Sequence, residues 1–295
     1  MRTKHVAAIA VALFAAVAGA ADVEMKPFVL AERATAEPAA VVAAVSAKLE
    51  GAGFRIVGSY SPYDGATILA VTSDELIAAA GKNRFGAYGA VQRVSITKVG
   101  TEVQVAFTNP VWMQAGYRMT GDLSGVGAKL AAALGRVEEF GPKDGKTAKK
   151  MRNYHYMVGM EYFDEPTELG KFASQAEAVA AIEAGLAEKR GGASKVYRVD
   201  VPETDESVFG VALTQQSCGG DAFVMKEIDF KPTRSTAHLP YELVVSKGEV
   251  FALYARFRIA MNFPDLSMMG SNSFMNIRCA PEAIATTLKK VAGKK

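Results

Sequence analysis

The sequence predicts an α+β chain: two similar two-layer α/β sandwich domains, arising by tandem duplication and packed as a pseudo-dimer. Three observations point there. One order of helix, strand and turn signals runs twice along the chain, and self-similarity at fixed order is the mark of repeated units. Each copy carries strands with one apolar face, which need a helical layer to cover them. The 295 residues are 49% hydrophobic and 22% charged, enough apolar material for one large core or two ordinary ones. Two similar units in one chain are expected to pack about a symmetric interface.

Residues 1–20 read as a secretory leader. Arg2, Lys4 and His5 make a positive start, Val6 to Val17 is an uncharged apolar run, and Ala18-Gly19-Ala20 is a small-residue cleavage site. The run is shorter than the roughly 20 residues that span a bilayer. No cysteine follows it to carry a lipid, and there is no twin arginine. Removing the leader takes two bases and no acid, so the formal net charge falls from +3 to +1. So small a charge implies neither nucleic acid nor an anionic membrane as partner. The mature protein is therefore expected to be exported, periplasmic or secreted, with no membrane span.

The first domain is placed at residues 21–140. A short strand-like piece around Phe28 to Arg33 precedes a helix opened by Glu37-Pro38, with Val41, Val42, Val45 and Leu49 on one face and a stop at Gly51 and Gly53. Phe54 to Tyr60 and Ala66 to Val71 read as strands. Thr72 with Glu75 is a capping-box signature for the short helix that runs to Gly81. Val91 to Lys98 and Glu102 to Thr108 form a hairpin around Val99-Gly100. Asn109-Pro110 stops that strand, a helix-like VWMQAGY follows, and a second helix runs from about Val126 to Leu134.

Residues 141–153 begin GPKDGKTAKKMR, with five basic residues against Asp144, and read as a solvated basic linker. The second domain, residues 154–295, repeats the order. A strand-like piece lies around Val158 to Phe163. Ser174 with Glu177 is a second capping box, and Val179, Ile182 and Leu186 follow at helical spacing until Gly191-Gly192. Ser194 to Asp200 and Ser207 to Thr214 read as strands. Leu239 to Ser246 and Glu249 to Met261 form a hairpin around Lys247-Gly248, ended by Phe263-Pro264. Pro281 opens a closing helix that carries Ile284, Leu288 and Val291.

KLEGAGF (Lys48 to Phe54), the later hairpin and the strand exit AFTNPVWMQAGYRM (Ala106 to Met119) resemble the DUF302 family, whose small domains have the TT1751-like α+β fold. Asn109, Pro110 and Trp112 match the sense of the family's exit motif; Thr108 stands where an acidic or polar residue is usual. In the second unit Asn262-Phe263-Pro264 keeps the proline and shifts the asparagine. The resemblance spans nearly all of the mature chain. It implies a fold and a tendency to pair, and no reaction.

Candidate chemistry is sparse. Cys218, in SCGGD, and Cys279, in RCAPEA, are the only cysteines; in an oxidising compartment a disulfide is one state open to them, beside free thiols and a thiolate site. Met268 and Met269 stand near Cys279, a soft donor set suited to copper as Cu(I), although methionine is also an ordinary filler of core gaps. HYMVGM (His155 to Met160) is a second methionine-bearing stretch. His155 and His238 lie in no recognisable triad. GPKDGKT lacks the first glycine of a phosphate loop, and Gly51-x-Gly53 follows a helix rather than a strand, the reverse of a dinucleotide fingerprint. Asn109, Trp112 and Tyr117 are the best remaining binding residues, placed where a loop could leave them beside a groove. The expected function is an exported, non-enzymatic binding or accessory protein for an unknown small molecule or protein partner, with any ligand in the cleft between units. The alternative is a soft-metal or thiol-redox protein built on the Cys/Met cluster.

Overall fold

The computed structural model describes residues 23–215 and 217–293; the expected leader, residues 1–20, lies outside them. The first half runs β1 (Phe28–Ala34), α1 (Pro38–Gly51), β2 (Arg55–Tyr60), β3 (Ala66–Thr72), α2 (Asp74–Ala80), β4 (Gln92–Val99), β5 (Glu102–Thr108), α3 (Pro110–Gly116), α4 (Ser124–Leu134) and β6 (Glu138–Phe140). After α5 (Ala148–Arg152), the second half runs β7 (Thr167–Lys171), α6 (Gln175–Ala187), β8 (Ala193–Val201), β9 (Glu206–Leu213), α7 (Asp221–Ile228), β10 (Tyr241–Ser246), β11 (Glu249–Ala252), α8 (Ala255–Asn262) and α9 (Ala280–Val291). The chain is α+β with two antiparallel sheets. Their orders are β2-β3-β4-β5-β1-β6 and β7-β11-β10-β9-β8. Reading β7 to β11 as counterparts of β1 to β5, the second order is the first one reversed on the page, without the β6 edge.

The central strands of each sheet bury both faces, because strand side chains alternate between two different neighbours, whereas the edge strands β2 and β8 keep exposed residues. On the outer face of the first sheet, Val94, Ile96, Val103 and Val105 pack with Val45 and Leu49 of α1 and Leu130 of α4. On the outer face of the second, Phe209, Val211, Leu243 and Val245 pack with Ile182 and Leu186 of α6 and Ile284 and Leu288 of α9. The inner faces meet one another, giving an α/β/β/α stack. Close approach requires small residues there: a Cβ on Gly58 of β2 would lie 2.1 Å from the carbonyl oxygen of Val196 in β8. Between the sheets Arg93 of β4 forms an ion pair with Glu242 of β10, both side chains essentially unexposed. The Tyr197 hydroxyl donates to the same carboxylate. Such a pair is weak evidence of net stabilisation, but removing one member leaves a buried charge without its partner.

Several local expectations change. The segment Glu249 to Met261 is a four-residue strand followed by α8, not one long strand. Phe257, Ile259 and Met261 alternate with Arg256, Arg258 and Ala260, which imitates a strand. Arg258, however, is itself buried, donating to the carbonyls of Pro240 (2.9 Å) and His238 (2.8 Å). The strand exit equivalent to Asn109-Pro110 is therefore Tyr254-Ala255, and Phe263-Pro264 ends a helix instead. Val158 to Phe163 is not a strand: Met157 and Met160 close a turn, Val158 is 95% exposed, and the first strand of this half is β7. The cap of α2 is Ser73, whose hydroxyl accepts from Leu76 N, because the Thr72 hydroxyl is committed to the Ala90 carbonyl at 2.7 Å. Ser174 caps α6 as expected. Residues 141–153 carry exposed lysines, but they also pair Lys146 with Met25 and bury Met151 of α5 against α3.

Candidate functional site

Asn109, Trp112 and Tyr117 do not border a groove. All three are buried. The Asn109 amide donates to the Lys26 carbonyl at 2.9 Å, tying the end of β5 to the segment before β1. Tyr117 stacks on Phe163 with ring centroids 5.5 Å apart and faces Arg93. The apolar stripe of α3 turns inward, so the aromatics that follow Pro110 join the core.

Cys218 and Cys279 are bonded, with Cα atoms 6.0 Å apart, inside the usual disulfide range. In this state Cys279 offers no thiolate, which breaks up the set Met268, Met269 and Cys279. Met269 is 77% exposed, whereas Met268 is half-buried and lines a small pocket with Met160. His155 bonds through Nδ1 to the Met157 carbonyl at 2.9 Å. His238 is wholly buried against Asn262 (2.8 Å), and burial, with Arg258 and Arg93 nearby, pushes its pKa well below the usual imidazole value. Neither histidine meets a nucleophile.

What the fold does build is a cleft between the halves. One wall is the turn joining β2 to β3, Ser61 to Gly65 with Tyr60 behind it; the other is the end of β9 and the first turn of α7. The open cleft has a volume of about 590 Å³. Hydroxyls of Tyr60, Ser61, Tyr63 and Thr214, the amide of Gln215 and the carboxyls of Asp64 and Asp221 line it, with no basic side chain. Asp221 opens α7 and is 2% exposed. Its Oδ2 accepts from Leu213 N at 3.0 Å and from the Tyr60 hydroxyl at 3.3 Å, while Oδ1 has no partner. Burial pushes its pKa up to about 7, against the opposing pull of those two hydrogen bonds and of Arg258. Burial likewise raises Tyr60, with the nearby Asp221 carboxylate adding to the shift.

A second cleft of about 520 Å³ continues past the shared residues Tyr63, Asp64 and Ala222. It is lined by Lys98, Lys226 and Arg234 and ends on Asp229, which burial also raises to about 7. Asp229 Oδ1 accepts from Ser235 N at 2.7 Å, and Oδ2 has no partner. The Tyr63 hydroxyl reaches Thr236 at 2.7 Å, fixing the turn of the first half to the second.

The loop that delivers Asp221 is held from two sides. Cys218 ties it to the start of α9. Gly220 is required because a Cβ there would lie 1.8 Å from the Gln215 carbonyl oxygen. Sequence reasoning passed over this carboxyl, although Cys-Gly-Gly-Asp ahead of an apolar helix was a readable signal of a tight turn aiming an acid at a helix start. Ser-Pro-Tyr-Asp-Gly was equally readable as a turn, but not as a wall, since its opposing surface comes from 150 residues further along. No family model, curated protein or solved structure matches this chain.

Proposed function

We propose that this is an exported, non-enzymatic binding or accessory protein made of two DUF302-like units related by duplication, holding its ligand in the cleft between them. The observation that carries the reading is Asp221: a carboxyl from the second half, capped by a tyrosine of the first, that lies in the cleft wall with one buried oxygen unpartnered. Duplication is supported by the shared strand order and by matching helix positions in the two halves. Export rests on the leader and fits a disulfide, a bond that persists in oxidising compartments. Among the described residues no helix is long and apolar enough to cross a membrane.

Beside Asp221 the cleft offers hydroxyl, amide and carboxyl groups, and its bases, Lys98, Lys226 and Arg234, line only the continuation past Tyr63; at Asp221 this favours a neutral or cationic polar molecule over an anion. Thermal-shift and calorimetric titration of the full chain with neutral sugars, polyamines and citrate tests this. A sugar or polyamine should raise Tm, citrate should not, and the effect should vanish in Ala222→Trp, which fills the cleft from an exposed position. A response to citrate alone, or one unaffected by Ala222→Trp, overturns the reading.

An acid–base enzyme is a second reading with one observation in its favour. A carboxyl titrating near pH 7 is the form a general acid or base requires. Turnover of chromogenic glycosides or esters that disappears in Asp221→Asn would select it.

A further inference from the structure

We propose that the ligand is a zwitterion lying across the two adjoining clefts, its amine end toward Asp64 and Asp221 and its anionic end among Lys98, Lys226 and Arg234. The inference rests on the cleft being a ligand site and adds the charge pattern of what it holds. Charge is divided along the surface. The first cleft carries Asp64 and Asp221 and no base. The second brings Lys98, Lys226 and Arg234 together. Tyr63, Asp64 and Ala222 line both, so one molecule can cross the division.

Helix α7 gives the arrangement its direction and length. Asp221 and Ala222 open the helix, and Met225 and Lys226 line the second cleft one turn later. At 1.5 Å of rise per residue, Asp221 and Lys226 stand about 7.5 Å apart along the axis. Each end draws on both halves of the chain. Asp64 belongs to the turn after β2 and Lys98 to β4, whereas Asp221, Lys226 and Arg234 come from the second half. A ligand held at both ends would therefore bridge the halves.

The bases are not spent on internal partners. Among the described residues none of the three forms an ion pair, and Lys98 and Lys226 are exposed. The buried acid among them is Asp229, 5% exposed, with Oδ2 unpartnered. Burial favours its protonated form up to about pH 7, so it offers an O–H rather than a repelling charge. At the other end Asp64 is exposed, and an ammonium nearby would favour the ionised form of Asp221. Opposite charges in adjoining clefts orient a bipolar molecule and penalise one with the same charge at both ends.

Calorimetric titration of the full, disulfide-intact chain with three linear probes of equal carbon number tests this. They are ε-aminohexanoate, with an amine and a carboxylate, hexane diamine and adipate. Aminohexanoate should bind about tenfold more tightly than either of the others. Lys98→Gln with Lys226→Gln, both at exposed positions, should erase that preference at unchanged Tm by weakening aminohexanoate alone. Lys129→Gln, on α4, should alter nothing. Equal binding of diamine and aminohexanoate, in the native chain and the double variant alike, overturns the inference and leaves the cleft reading standing. Tightest binding by adipate overturns both. Silence toward all three overturns the inference too, and the sugar titration then shows whether the cleft reading falls with it.

Discussion

Asp74 and Asp221 occupy the same place in the two halves, the first residue of the helix that follows the third strand, and they have opposite fates. Asp74 has 92% of its side chain exposed and pairs with Arg55 at 2.7 Å. Asp221 is 2% exposed, has no basic partner within ion-pair distance among the described residues, and is raised to about 7. The cause is the connection before each helix. In the first half a single residue, Ser73, joins β3 to α2 and caps it. In the second half the chain from Thr214 to Gly220 intervenes, is pinned by Cys218, and sets the helix start against Tyr60 of the other half. A shared topology fixes where a helix begins; the length and tethering of its loop decide whether its first acid meets water.

That contrast can be broken from the seam outward. Glu242→Ala leaves Arg93 buried and unpaired between the sheets and should cost about 3–5 kcal/mol, read by urea denaturation; a loss under 1 kcal/mol would mean that the inner faces do not hold this pair dry. Removing the tether with Cys218→Ser and Cys279→Ser should cost roughly 2–4 kcal/mol. It should also speed amide exchange at residues 214–220 while leaving Ser73 and α2 unchanged. Equal acceleration in both halves would contradict the role given to the loop.

The smallest effect is the sharpest comparison. Asp221 has a folded pKa above its unfolded one, so its contribution favours the folded state below about pH 4 and is lost as pH rises through about 7. Between pH 5 and pH 7 this amounts to about 2 kcal/mol of lost stability. Asp221→Asn should flatten that decline and stabilise the protein at pH 8. Asp74→Asn should do the reverse, weakening it by at most ~1 kcal/mol at neutral pH through a lost surface pair and helix-start charge. Paired denaturation curves at pH 5, 7 and 8 decide it; two variants moving in the same direction would erase the distinction.

Most elements were legible because their signals are local. Val41, Val45 and Leu49 fall on one helical face, Ser174 caps the helix it precedes, and the Gly100 and Gly248 turns join the strands expected of them. Errors arose where a side chain's setting is supplied from far away. Arg258 reads as the polar half of an alternating strand, and only the carbonyls of His238 and Pro240 make it a buried helical residue. Trp112 and Tyr117, in a segment read as helix-like, were expected beside a groove, and the packing of α3 sends them into the core. The cleft was expected in kind, between units, but not in its residues.

By itself the sequence determined the α+β composition, the twofold recurrence of element signals and the placing of two cysteines in one half, since each follows from spacing along the chain. Only the tertiary structure decided that those cysteines join, that Asp221 loses its water and that Tyr60 of the other half closes over it. Each of these depends on surfaces brought together from distant stretches of chain. Burial and proximity, which set pKa, bonding and ligand access, are properties of those surfaces and not of any local run of residues.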